Sequence, residues 1–551
     1  MLSLVIRNAN IVDGTGKPAF KGDVGVAGDR IAAVGAFEGR GEVEIDAGGK
    51  TLAPGFIDIH THYDPQLCWD RNATPTPEHG VSSLVMGNCS ISLSPVRAAD
   101  RQRLMHLFGS VEDMEGRLLE STVPFSWESV PDYLEYLGSS LGPNVGSIIG
   151  HSNIRLYAMG AACQERAATD DEIEAMCSVL REAMAAGAFG LSFTFNHFDE
   201  HGGQLPCYYA DRREKLALLN VLAEAGRGVV EVAPNFFKRD MGLPTVDEWG
   251  ELALETGVLC TLSPILALPT MPGAWRQILE RFDYWRAKGA PLYAQTQVRP
   301  LDMTIQLSAG STVLSKSSAW RRTFEATPEE RLALYRDPEE RATLIAEGQR
   351  MKAGLAPLTV KRAHGAANAG YQGQRLADIA EAEGKDFFEA MIDIALADDL
   401  NTEFGLDGFL HSDEAAVAEL LQSPTVHIGS GDAGAHITQF AGAGDTSYLF
   451  EKFVRERGDM TLEHAVERLT SELAAKWSIK DRGVLAEGKF ADLVVFDPVT
   501  IARGDEQWVD DVPGGQGRYI RRPQGVERVI VNGETLVENG VYSDRQPGRL
   551  I

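Results

Sequence analysis

Short, nearly continuous apolar runs alternate with longer stretches of helical periodicity through the middle of this chain. The runs are "TLAPGFIDIHTH", "VSSLVMGNCSIS", "NVGSIIGHSNI", "AFGLSFTF", "GVVEVAPNF", "GVLCTLSPIL", "APLYAQTQVRP" and "TVHIGSGDAGAH". Such runs read as strands buried on both faces. Among the intervening helices, "TDDEIEAMCSVLREAMAAG" places Thr169 and Glu172 as a capping box and Gly187 as a C-terminal stop. Buried strands interleaved with helices predict an α/β fold, a (β/α)8 TIM-like barrel whose active site lies at the C-terminal ends of the strands. His60, Cys89, His151 and Asp432 all fall at such ends.

The two ends of the chain follow a different pattern. "LSLVIRNANIV", "GDVGVAGDRIAAVG" and "GEVEIDAGGKTLAP" alternate polar and apolar residues between glycine turns, as do "GVLAEGKFADLVVFDP" and "GVERVIVNGETLVENGVYSD". Neither end makes a packed sheet alone, so residues 1–53 and 479–551 are expected to form one small β-sandwich domain. Residues 54–478 would hold the barrel, with a helical insertion at about 314–401 that includes "TPEERLALYRDPEERATLIAEGQRMKAG".

Length and composition change little in this picture. The 551 residues exceed the usual single-domain range, and 44% hydrophobic and 24% charged residues are ordinary for a globular protein. A formal charge of -27 argues against nucleic-acid binding, which concentrates Lys and Arg. The six cysteines are scattered without paired spacing, which suits reduced thiols. The chain shows no secretory leader and no long apolar span, so a cytoplasmic location without membrane association is expected.

His60 and His62 are the sharpest chemical signal, because side chains at i and i+2 of a strand share a face. Cys89 in "MGNCSIS" ends the neighbouring strand, where Gly87 and Asn88 would bend the backbone to aim its thiol at the barrel mouth. Asp432 in "HIGSGDAGAH" ends the last strand, which closes against the first; it could bind a metal and shuttle a proton. Two imidazoles, a thiolate and a carboxylate suit Zn2+, with another divalent transition metal as the alternative. His151, His436 and Arg299 are candidate substrate contacts, Arg299 as a clamp for a substrate carboxylate. His197 and His201 in "FNHFDEHGG" read as loop residues available to a substrate.

With these residues in place, the chain resembles the amidohydrolase superfamily and, within it, the N-acyl-D-amino-acid deacylase (D-aminoacylase) family. The resemblance rests on "APGFIDIHTHYD", "VMGNCSISLSP", "NVGSIIGHSNIR", the "AGSTVL" segment from Ala309, "GSGDAGAH", "RGVLAEGKFADLVVFDP", "VERVIVNG" and the terminal "PGRLI". It implies a metal-dependent barrel with His60, His62 and Cys89 as ligands, Asp432 as the catalytic aspartate, and attack of metal-bound hydroxide on an amide carbonyl. The family also carries a histidine on the fifth strand and one on the sixth, whereas "VVEVAPNF" and "LCTLSPIL" contain none. One metal per chain is therefore expected, leaving open whether Glu231 or Cys260 replaces a missing ligand. The expected activity is hydrolysis of a non-peptide C–N amide bond in a small-molecule substrate, first of all an N-acyl amino acid. Another linear or cyclic amide, a carbamate or a urea is the alternative, and a barrel that has become a binding or assembly protein is the alternative of another class. Homo-oligomer formation is left open.

Overall fold

The computed structural model describes residues 2–112, 114, 116–138, 140–199, 201–309, 311 and 313–551, without the side chain of Arg117. Of the "AGSTVL" segment, Gly310 and Thr312 lie outside the described residues.

Eight strands run parallel in chain order: β1 (Phe56–Thr61), β2 (Val81–Met86), β3 (Asn144–Gly150), β4 (Gly190–Thr194), β5 (Val229–Ala233), β6 (Leu259–Leu262), β7 (Leu292–Thr296) and β8 (Val426–Ile428). Each pairs with the next, and the ring closes just beyond the outer pair. There Thr61 bridges Ala433 in parallel, and the His62 amide donates to the Ala433 carbonyl at 2.8 Å. Every residue of β2, β3, β4, β5, β7 and β8 is buried, which is why these segments carry apolar runs rather than alternation. The architecture is the (β/α)8 barrel that the pattern predicts. Helix Asp170–Ala186 has the full capping box between Thr169 and Glu172, and Gly187 ends it at φ 115°, a left-handed conformation that favours glycine.

Residues from both ends of the chain meet in one nine-stranded sheet. Leu2–Ile11 pairs with Phe20–Ala27, Gly41–Asp46 and Thr51–Pro54, and Thr51–Pro54 pairs in turn with Leu493–Phe496, which leads to Val526–Val531. Ile6, Val24, Leu52, Leu493 and Ile530 form the buried centre of this sheet. The tail returns to the barrel, where Val145 of β3 donates to the Arg549 carbonyl at 3.0 Å and receives the Ile551 amide at 3.0 Å.

Pro300–Ser412 and Thr438–Phe440 form a second compact unit. It is wider than the helical stretch at about 314–401, because a three-stranded sheet draws in both flanks: Leu301–Gln306 and Thr359–Arg362 each pair antiparallel with Glu403–Leu410. Its core is its own, centred on Trp320, Tyr335, Phe388 and Phe404. Among the described residues no helix is long and apolar enough to cross a membrane.

His79 shows how tightly the turn before β2 is packed. Its ring is fully buried, with Nδ1 2.7 Å from Ser447 Oγ and Nε2 donating to the Arg521 carbonyl at 2.9 Å. Burial pushes its pKa down to about 3, a direction the charges of Arg503 and Arg521 reinforce. The unfolded chain, with a histidine near pKa ~6.5, takes up this proton first, so folding stability falls as pH drops from about 6.5 toward 3. Denaturant titrations at pH 7 and pH 5 should show a loss of which about 2 kcal/mol belongs to His79, and His79→Gln should remove that share of the slope.

Candidate metal and catalytic centre

The candidate centre is assembled from three segments that end at the same mouth. His60 is the penultimate residue of β1 and His62 the first past its end, their rings 5.2 Å apart. Cys89 comes from the turn after β2 and Asp432 from the turn after β8. Cys89 Sγ lies 3.8 Å from His60 Nε2, and Asp432 Oδ1 lies 3.2 Å from His60 Nε2 and 3.6 Å from His62 Nε2. Ligand atoms of His60, His62 and Cys89 all fall within 4.8 Å of one another, and all three residues are buried.

These spacings and this chemistry fit a transition metal. Ligand atoms about 2.0–2.3 Å from a shared Zn2+ stand within such distances of one another. His60 Nδ1 donates at 3.1 Å to Gln295 Oε1, which can only accept, so in the neutral ring the lone pair lies on Nε2, where an ion would bind. Burial pushes the Cys89 thiol well above its usual range, and the neighbouring Glu231, Glu112 and Asp432 push it further. A thiolate there needs a cation beside it. Glu112 Oε1 and Glu231 Oε1 are buried without a hydrogen-bond partner. Burial pushes Glu112 well above the usual carboxylate range and Glu231 up to about 7, so these acids ionise fully only beside a cation.

The electrostatics of the two imidazoles diverge. Burial lowers the pKa of both, but Asp432 more than offsets it at His60, which is pushed up to about 9, whereas His62 is pushed down to about 4. Burial would raise the pKa of Asp432, yet bonds from both imidazoles hold its carboxyl well below the usual carboxylate range. It stands against the ligand cluster as a ready carboxylate.

Backbone geometry aims these groups. Cys89, Ser90, Ser430, Asp432 and His436 all have positive φ, between 51° and 71°. Each costs of order 1–3 kcal/mol unless the surroundings hold it. Glu231 Oε2 accepts the Cys89 amide at 2.9 Å, and Ser192 Oγ accepts the Ser90 amide at 3.0 Å. Gly87 of the "GNC" turn lies at φ 87°, and a Cβ there would sit 2.0 Å from the Ile148 carbonyl oxygen.

Arg299 does not present its charge as a substrate clamp. It is fully buried, with Nε 3.2 Å from Asp445 Oδ1 and Nη2 donating to the Gly431 carbonyl at 2.6 Å. It braces the loop that carries Asp432. His151 also has structural employment: Nε2 meets Glu214 Oε1 at 2.7 Å, Arg155 pairs with the same carboxylate, and the ring stacks 4.2 Å from Phe193. His436 does belong to the mouth, its amide donating to the Glu112 carbonyl at 2.9 Å and its ring within electrostatic reach of His62. His197 joins it. Burial and the charges of His436, His62 and His60 push His197 down to about 3, while its Nδ1 lies 2.7 Å from Thr194 Oγ1. His201 is exposed.

Among the described residues, neither open substitute joins a group of ligand atoms. Glu231 spends one oxygen on the Cys89 amide and sits 3.9 Å from His60 Nδ1, on the side away from the ligand nitrogen. Cys260 is fully buried, and its thiol is pushed up by burial alone. Among the described residues, His60, His62 and Cys89 form the one group placed to hold an ion.

Sequence reasoning missed Glu112 and Gln295. Glu112 ends helix Arg101–Glu112 with Oε1 3.2 Å from His62 Nδ1. Its signal was a carboxylate in phase with Leu104, Phe108 and Val111, the buried stripe of that helix. Gln295 sits inside an apolar strand, where a buried amide needs a partner.

The amidohydrolase family pattern matches residues 43–537. The chain belongs to the amidohydrolase family. It is a hydrolase, and its deacylase relatives match nearly end to end. This amidohydrolase is 26% identical over 573 residues to the D-aminoacylase of Alcaligenes xylosoxydans xylosoxydans, covering 100% of this chain and 97% of the relative. It is 28% identical over 562 residues to the N-acyl-D-glutamate deacylase of the same organism, covering 100% and 96%. The crystal structure of N-acyl-D-glutamate deacylase from Bordetella bronchiseptica, complexed with zinc and a phosphonate inhibitor, superimposes with a TM-score of 0.69 at 26% identity, covering 100% of this chain and 99% of that one.

Glu112 supplies a test of the centre. Outer partners of metal-bound histidines typically contribute 10–100-fold in affinity. Glu112→Ala should weaken metal binding within about that range in a chelator competition titration, with partial recovery in Glu112→Gln.

Proposed function

We propose that this amidohydrolase is a metal-dependent deacylase of N-acyl amino acids, with the D series as the first substrates to test. The observation that carries the reading is the convergence of His60, His62 and Cys89 with Asp432 Oδ1 set 3.2 and 3.6 Å from the two imidazoles. The substrate class rests on the full-length relatives, which are named for D-amino acid derivatives. A single Zn2+ held by His60, His62 and Cys89 would supply Lewis-acid activation of water and of an amide carbonyl.

The protein's own part in the reaction falls to Asp432. Its low pKa keeps Oδ1 and Oδ2 ionised at neutral pH, so the group accepts a proton from attacking water. The same carboxyl then delivers that proton to the amide nitrogen as the C–N bond breaks, which returns it to the starting state. Arg299 holds the Gly431 carbonyl and thereby the strained turn in which Asp432 sits. Gln295 and Glu112 orient the two imidazoles from behind.

One observation supports a second reading of the substrate. With Arg299 engaged by Asp445 and Gly431, it offers no clamp for a carboxylate, which favours a neutral linear or cyclic amide, a carbamate or a urea on the same machinery. A panel of N-acyl D- and L-amino acids, aryl amides, carbamates and cyclic imides, followed by mass spectrometry, separates the two. Turnover of N-acyl amino acids supports the first reading; turnover confined to the other classes replaces it.

Two further outcomes are expected. Metal analysis of the purified protein should find about one ion per chain, and His60→Ala or His62→Ala should lose both the ion and activity. Asp432→Asn should lower kcat by about 10²–10⁴-fold while keeping the metal and the circular dichroism spectrum. Retained turnover would remove Asp432 from the proton shuttle.

A further inference from the structure

The opposite end of the barrel carries a second feature that the hydrolytic centre does not use. A cavity of about 730 Å³ opens beside the N-terminal ends of β7 and β8, where Arg286 precedes β7 and Pro424 precedes β8. Its volume is that of a small-molecule site. More Lys and Arg than Asp and Glu line it, in a chain whose net charge is -27.

The acids of the cavity are already taken. Glu472 receives both of its bonds from Arg468 Nη1 at 2.7 and 2.8 Å, Asp481 pairs with Lys489 at 3.0 Å, and Glu467 lies 3.2 Å from His464 Nδ1. Arg286 and Lys476 have no acidic partner among the described residues. Both instead lie over the single ring of Tyr293, with the guanidinium 3.9 Å and the ammonium 5.1 Å from its centroid. Two like charges on one ring repel unless an anion bridges them.

One buried donor at the cavity wall points to the same ligand chemistry, and a second lies behind it. Arg468, 3% exposed and part of the cavity wall, has its Nε without a hydrogen-bond partner. Behind Tyr293, the fully buried His427 stacks 4.3 Å from that ring and accepts the Trp477 indole N–H on Nδ1 at 3.2 Å. Its proton is therefore on Nε2, which also lacks a partner. A buried donor left unpaired is unfavourable, and an oxyanion at the cavity wall would satisfy the Arg468 Nε–H and the neighbouring cations together.

We propose that this cavity binds a small dianion, a phosphate-bearing or dicarboxylate molecule, held between Arg286 and Lys476 with the Arg468 guanidinium behind it. The test titrates the zinc-loaded full chain with inorganic phosphate and, separately, with succinate, by calorimetry at an ionic strength fixed with chloride. The same titrations use the double variant Arg286→Gln/Lys476→Gln, whose side chains lie at the cavity and away from the metal centre. The expected result is saturable binding of at least one probe, about tenfold weaker in the double variant, with turnover in probe-free buffer unchanged. A response to phosphate alone identifies a phosphoryl ligand, and a response to succinate alone a dicarboxylate. Absence of binding by the wild type, or equal binding by both proteins, overturns the proposal. Equal binding accompanied by competitive inhibition places the probe at the metal centre instead.

Discussion

A buried cluster of acidic groups at the barrel mouth is the constraint on which the rest of the site depends. Asp432, Glu112, Glu231 and the Cys89 thiol meet around two imidazoles in space from which water is largely excluded. Ionising such a cluster without a cation is unfavourable, because burial penalises each charge separately and neighbouring charges of like sign add to the penalty. The opposite shifts of His60 and His62 express that conflict within the protein alone. A metal ion resolves it by supplying the positive charge at one point.

The scaffold around this cluster works to keep it from relaxing. Five residues other than glycine hold left-handed backbone at the mouth, and each is tied by bonds from a neighbouring strand or loop. The Ser192 bond from β4 holds the turn after β2, and the Arg299 brace from just beyond β7 holds the turn after β8. Glu231, left open by the sequence as a substitute ligand on a strand without histidine, holds the backbone of the strained cysteine with one of its oxygens.

The two ends of the barrel then divide their chemistry by charge. The C-terminal mouth gathers acids and soft ligands, while the N-terminal end gathers Arg286, Lys476 and Arg468 around Tyr293 and His427. His427 and Gln295 stand opposite each other in the β7–β8 register, so one pair of strands supplies a buried polar group to each end.

Local pattern was enough to determine the eight strands, the capped helix Asp170–Ala186, and the histidine pair, because burial on both faces, capping and the two-residue period are properties of neighbouring residues. It also marked Cys89 and Asp432, whose turns carry their own glycine signals. Arg299 and His151 were legible as chemistry but not as placement: their partners Asp445 and Glu214 lie far along the chain, and only packing decides whether a buried charge meets a substrate or another residue. Glu112 and Gln295 became part of the site for the same reason, since nothing local distinguishes a carboxylate that reaches a ligand histidine from one that faces solvent. Whether Glu231 and Cys260 complete a second metal site was likewise decided by side-chain direction, which the closed barrel sets and the linear order of residues does not.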